Sequence, residues 1–144
     1  MNKALACFAL IGACLAISAA YCADTEKSTK YIRPFPIVGL PDNADKDHQA
    51  LADEVAKAIG SKLILKQKSN PICCVWLEIS LGTPNPGEPG YIIVNQGGGS
   101  LIMASDVEQL RKAVARFKGS LRKVKDGVEV PEGVMTSFPV ISEK

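Results

Sequence analysis

The chain has 144 residues, with 17 Lys and Arg against 15 Asp and Glu and a formal net charge of +2. So even a balance excludes nucleic-acid binding by bulk electrostatics and an acidic solvating role. The length allows one modest domain.

Residues 1–20 read as a signal peptide: Lys3 supplies a positive start, and Ala4 to Ala20 is an apolar run too short and too rich in small residues for a membrane span. Ser18-Ala19-Ala20 puts small residues before a cleavage ahead of Tyr21. The competing reading is lipoprotein processing at Cys14, which follows Ile11-Gly12-Ala13; against it, Leu15 to Ala20 stays apolar. Both readings export the protein to the periplasm or the extracellular space. Cleavage leaves Cys22, Cys73 and Cys74, an odd number, so a disulfide can use two of them at most. Adjacent strand residues point to opposite faces, so a Cys73–Cys74 bridge needs a strained backbone. A thiol role for that pair is kept as an alternative.

Residues 21–33 read as a flexible leader, residues 34–135 as the folded domain, and residues 136–144 as a tail. Pro34 and Pro36 forbid a central strand there, which leaves Ile37 to Leu40 as a short strand after the prolines or at an edge. From about Asp45 to Ile59 the pattern is helical, with Leu51, Val55, Ala58 and Ile59 on one face and Gly60 as the stop. Leu63 to Leu65 is a short strand. Cys74 to Leu81 is the strongest strand, with Val75, Leu77 and Ile79 on one face and Cys74, Trp76 and Glu78 on the other. Gly82 to Gly90 is a Pro- and Gly-rich loop. Tyr91 to Val94 and Leu101 to Met103 form a hairpin that reverses within Asn95 to Ser100. A helix follows, with Ser105 and Glu108 as a capping box, Val107, Leu110, Val114 and Phe117 as its apolar stripe, and Gly119 as its end. Asp126-Gly127 is a turn and Val128 to Val130 a short strand. The expected fold is α+β: a two-layer sandwich with two helices on one face of a mixed, mostly antiparallel sheet of four to five strands.

Four segments in this order resemble a known family: IVGLPDNADKDHQALADEVAKAIG, VWLEISLG, GYIIVNQGGGSLIMASDVEQLRKAVARF and DGVEVPEG. Pro41 with Asn43, Gly60, Val75 with Leu77, Gly90-Tyr91-Ile92-Ile93, Ile102-Met103-Ala104 and Phe117 carry the likeness over residues 35–135. It is to the small non-catalytic, zincin-like domain in front of the barrel of β-N-acetylhexosaminidases and related α-glucuronidases. The resemblance implies a non-catalytic accessory or interaction domain linked to extracellular carbohydrate processing. Its partners would be a glycoside hydrolase barrel, another secreted protein or a glycan. The family's catalytic barrel is not part of the sequence read here, and its domain carries no metal motif.

No complete catalytic set can be assembled from the residues themselves, and neither a cofactor nor a metal is expected. The single histidine, His48, reads as a surface helix residue. Gly97 to Gly99 lacks the features of a phosphate loop and reads as a turn. Arg111, Lys112, Arg116, Lys118, Arg122, Lys123 and Lys125 read as a solvated basic face, with an anionic glycan or phosphate as the alternative partner. The candidate partner or glycan face is Trp76, Glu78 and Cys74, unless the tail or the N-terminal segment covers it. The alternative function is a small metal-dependent hydrolase or glycosidase-related enzyme on a zincin-like scaffold.

Overall fold

The computed structural model describes residues 29–70, 74–79 and 88–138. In chain order the elements are β1 (Tyr31–Ile32), β2 (Ile37–Pro41), α1 (Lys46–Ile59), β3 (Leu63–Gln67), β4 (Val75–Ile79), β5 (Tyr91–Gln96), β6 (Gly99–Ala104), α2 (Val107–Ser120), β7 (Arg122–Val124), β8 (Gly127–Pro131) and β9 (Gly133–Thr136). The class is α+β, as expected.

The main sheet has six strands in the order β3-β2-β4-β6-β5-β9. Its β3-β2-β4-β6 half is parallel and its β6-β5-β9 half antiparallel. A smaller antiparallel sheet, β1-β8-β7, stands beside it. The sheet is thus larger than four or five strands. The parallel half follows from the crossovers, since α1 returns the chain from β2 to a parallel neighbour, β3.

Strand alternation sets the core. Val38 and Leu40, Val75 and Leu77, Ile93, and Ile102 are fully buried on one face, where Leu51, Val55 and Ile59 of α1 meet Leu110, Val114 and Phe117 of α2. Both helices therefore cover the same face.

Several local expectations are corrected. β2 follows the prolines but lies between β3 and β4, so it is interior rather than an edge. Its one proline, Pro41, is the last residue of the strand, where a missing N–H costs least. The hairpin reverses in two residues only, Gly97 at φ 58 and Gly98 at φ 87. That double positive φ is the type I′ pattern, which matches the twist of the flanking strands. Asn95 and Ser100 are consequently register partners inside the strands, both buried.

The N-cap of α2 is Asp106, one residue later than expected: its carboxylate accepts from Gln109 N at 2.8 Å. Ser105 is occupied elsewhere, its Oγ accepting from Gly90 N and donating to Asp106 Oδ2, both at 3.0 Å. Gly119 lies within the helix, which ends at Ser120 because the chain leaves directly into extended backbone at Leu121. Gly60 does cap α1, in the left-handed conformation at φ 72.

The leader and tail are shorter than expected. Tyr31 and Ile32 pair with Pro131 and Val130, so the second sheet reaches back into residues 21–33. At the other end β9 pairs along β5 through Thr136, and Tyr91 N donates to Ser137 Oγ at 2.8 Å. A Cβ on Gly90 would lie 2.5 Å from the Phe138 ring, so this glycine lets the ring lie against the start of β5.

Candidate functional site

Alternation along β4 places Cys74, Trp76 and Glu78 on the sheet face away from the helices, as expected. In register, Trp76 lies between Gly39 of β2 and Leu101 of β6, and Glu78 beside Met103. The indole is nevertheless not an open platform. Trp76 is 2% exposed. A Cβ on Gly39 would stand 2.5 Å from Trp76 Cε3 and 3.0 Å from Cys74 Sγ, so the ring packs into the space a side chain would take. The indole N–H donates to Glu78 Oε2 at 3.1 Å, giving the buried donor its acceptor. Burial thus corrects Trp76 as a surface for a glycan to stack on, while Glu78 is half-buried and engaged by the indole.

Cys74 is also buried, its Sγ lying 3.8 Å from Asn70 Oδ1. Cys22 and Cys73 lie outside the described residues, as do Cys14, the signal segment and most of the Pro/Gly-rich loop.

Beside Cys74 the face opens into a hollow of about 210 Å³, lined by Asn70, Cys74, Val94, Gln96, Gly99, Ser100 and Leu101. Val94 and Leu101 are register partners that present a half-buried aliphatic pair. Asn70 and Gln96 are exposed amides at its rim. Among the described residues no charged side chain lines it. The backbone beneath is fixed, because Ser100 N donates to Cys74 O at 3.0 Å. Sequence reasoning placed Gln96 in the hairpin reversal, and only the β4–β6–β5 register brings it near Cys74, whereas Asn70 is a close neighbour in sequence.

His48 is not on the surface. It is 7% exposed, with Nδ1 3.5 Å from Asp45 Oδ1 and Nε2 buried without a partner. The signal was present, since residues 48, 51, 52, 55 and 59 fall on one helical stripe. Asn95 Oδ1 and Ser100 Oγ are likewise buried without partners, although Asn95 Nδ2 donates to Pro131 O at 3.0 Å.

Three of the seven residues of the basic set are paired with acidic neighbours. Lys112 pairs with Glu108 at 2.9 Å and Lys118 with Glu54 at 3.0 Å. Arg122 pairs with Glu129 and lies 3.7 Å from the centre of the Tyr31 ring. Such pairing tethers β1 and α2 to their neighbours.

Two carboxyls have clearly displaced affinities for protons. The His48 backbone N–H holds Asp45 below the ordinary carboxylate value, and the Gln109 backbone N–H does the same for Asp106. Both are helix caps, so these shifts are structural. Among the described residues no group of three or more His, Cys, Asp or Glu converges on a point that could hold a metal ion. No described helix is long and apolar enough to cross a membrane.

No family model and no curated protein matches the chain. Solved structures do. The GH20 β-N-acetylhexosaminidase from Streptomyces coelicolor A3(2) superposes with a TM-score of 0.57 at 16% identity over 76% of this chain and 23% of its own. A mutant Streptomyces plicatus β-hexosaminidase in complex with its product GlcNAc gives 0.55 at 17% identity over the same shares. CpGH84B gives 0.51 at 14% identity over 74% of this chain and 20% of its own. The chain thus spans less than a quarter of the length of the structures it matches. What these likenesses show is the fold: one portion of much larger glycosidase chains.

Proposed function

We propose that this protein is an exported, non-catalytic accessory domain of the glycosidase type, acting beside carbohydrate-processing proteins. The observation that carries the reading is the pattern of coverage, in which three-quarters of this chain corresponds to under a quarter of each hexosaminidase. The polar chemistry supports it. Asp45 and Asp106 cap helices, Glu54, Glu108, Glu129 and Glu132 sit in ion pairs, and Glu78 accepts the indole N–H. A hydrolase of this class needs two carboxyls facing one another across a substrate. These carboxyls are committed elsewhere.

The test is cross-linking mass spectrometry of the tagged protein in its native exported fraction, with a chromogenic N-acetylglucosaminide assay on the purified chain. Cross-links to a glycoside hydrolase, without turnover by the chain itself, are expected. Turnover that co-purifies with the chain and is lost when its Asp and Glu residues are replaced, or a cross-link set without any glycoside hydrolase, would overturn the reading.

A further inference from the structure

We propose that the hollow between β4, β5 and β6 is a binding site for a single uncharged, hydroxyl-bearing ring, such as a free monosaccharide or the terminal unit of a glycan. It extends the carbohydrate side of the proposed function and requires no protein partner.

Size comes first. A volume of about 210 Å³ corresponds to roughly seven water molecules. It falls below the range of about 300–1,000 Å³ of drug-sized pockets, which limits the occupant to about one ring. Charge comes second. None of Asn70, Cys74, Val94, Gln96, Gly99, Ser100 and Leu101 carries one, so a phosphate, sulfate or carboxylate would lose its hydration without compensation. Polarity is the third constraint. A purely apolar ligand would strip water from the Asn70 and Gln96 amides and return no hydrogen bonds.

What fits is a molecule with an apolar face and a polar edge. The C–H face of a pyranose would lie on Val94 and Leu101, and its hydroxyls would meet the amides at the rim. Asn70 is already oriented for this. With its Oδ1 turned toward Cys74 Sγ at 3.8 Å, its Nδ2 is left as the donor to a ligand. Gln96 closes the hairpin opposite Gly99, so the rigid two-residue turn fixes its backbone.

The experiment is an amide-resolved NMR titration of the folded chain with N-acetylglucosamine, glucose and glucuronate. Shift changes confined to residues 94–101, Asn70 and Cys74 are expected for the neutral sugars, with Kd on the order of 1 mM for so open a site. Glucuronate should bind more weakly. Asn70→Ala and Gln96→Ala remove exposed side chains and leave the fold intact, and each should weaken binding about two- to tenfold through one lost hydrogen bond. Three results would overturn the proposal: no shifts with any neutral sugar, shifts centred elsewhere, or affinity unchanged in the double variant. Because free sugar and isolated chain suffice, failure here leaves the accessory-domain reading to its own cross-linking test.

Discussion

Gly39→Ala is the substitution through which the packing on the sheet's outer face can be measured. The new Cβ would lie 2.5 Å from Trp76 Cε3, 3.0 Å from Cζ3 and 3.0 Å from Cys74 Sγ, well inside van der Waals contact. Trp76, 2% exposed, has no open space to enter. Overpacking of this kind costs about 1–3 kcal/mol. Tilting the indole away also strains its 3.1 Å bond to Glu78, a further cost of about 1 kcal/mol. Against this, alanine reduces the freedom of the unfolded chain, a gain of about 0.4–1 kcal/mol. The steric terms win, and a net loss of about 2 kcal/mol lowers Tm by about 8–16 °C in a domain of this size. Trp76 is the single tryptophan, so its fluorescence reports the same event: urea unfolding followed by emission should show a lower midpoint and a red-shifted native spectrum. In a Trp76→Leu background the alanine should cost much less. An equal cost in both backgrounds, or no cost in either, would refute the argument.

Other substitutions separate glycines needed for conformation from one that is not. Gly119→Ala should stabilise the protein by about 0.5–1 kcal/mol in thermal melts, because the residue is helical and its new Cβ meets nothing within 4 Å. Gly97→Ala has equal space, yet should destabilise by about 1–2 kcal/mol because φ is 58. Phe117→Ala removes a fully buried ring from the helix–sheet core and should cost about 3–5 kcal/mol, which urea denaturation would show as a collapse of the midpoint. The two cap carboxyls set an acid dependence. Both bind protons less readily folded than unfolded, so their contribution is complete above the unfolded value of 3.8 and declines as pH falls through the lower folded values. Asp45→Asn with Asp106→Asn keeps both caps and should flatten that acid limb in pH-dependent melts.

Legibility in the sequence tracked how local each cause is. Helix α1, its Gly60 cap and the two faces of β4 follow from spacing alone, and all stand. Ser105 and Gly119 were misread because partners distant in sequence decide them: Gly90 engages the Ser105 hydroxyl, and the exit into β7 removes the need for a left-handed stop. For β2 the prolines leave two readings open, a strand after them or one at an edge, and only its neighbours β3 and β4 decide for an interior place. Trp76 was placed on the correct face, but its burial depends on Gly39, 37 residues earlier, across a parallel pairing that no local pattern specifies. The hollow is the extreme case. Its lining joins Asn70 and Cys74 to residues of β5 and β6, and the β4–β6–β5 register brings those strands together.

The distribution of charge points the same way as the hollow. Surface ion pairs hold Glu54 to Lys118, Glu108 to Lys112, Glu129 to Arg122 and Arg33, and Glu132 to Lys30, at the helix surface and the small sheet. Exposed pairs of this sort contribute at most about 1 kcal/mol each. The outer face of the main sheet has another character, with Leu101, Val94, Ile92 and Met103 half-buried and Glu78 occupied by the indole. Recognition there must rest on shape, aliphatic contact and neutral hydrogen bonds. Binding through that face should therefore change little between low and physiological salt, where a phosphate- or sulfate-reading basic patch would lose affinity steeply. The same titration at two ionic strengths distinguishes them: strong salt dependence would return the site to the arginines and lysines of α2 and β7.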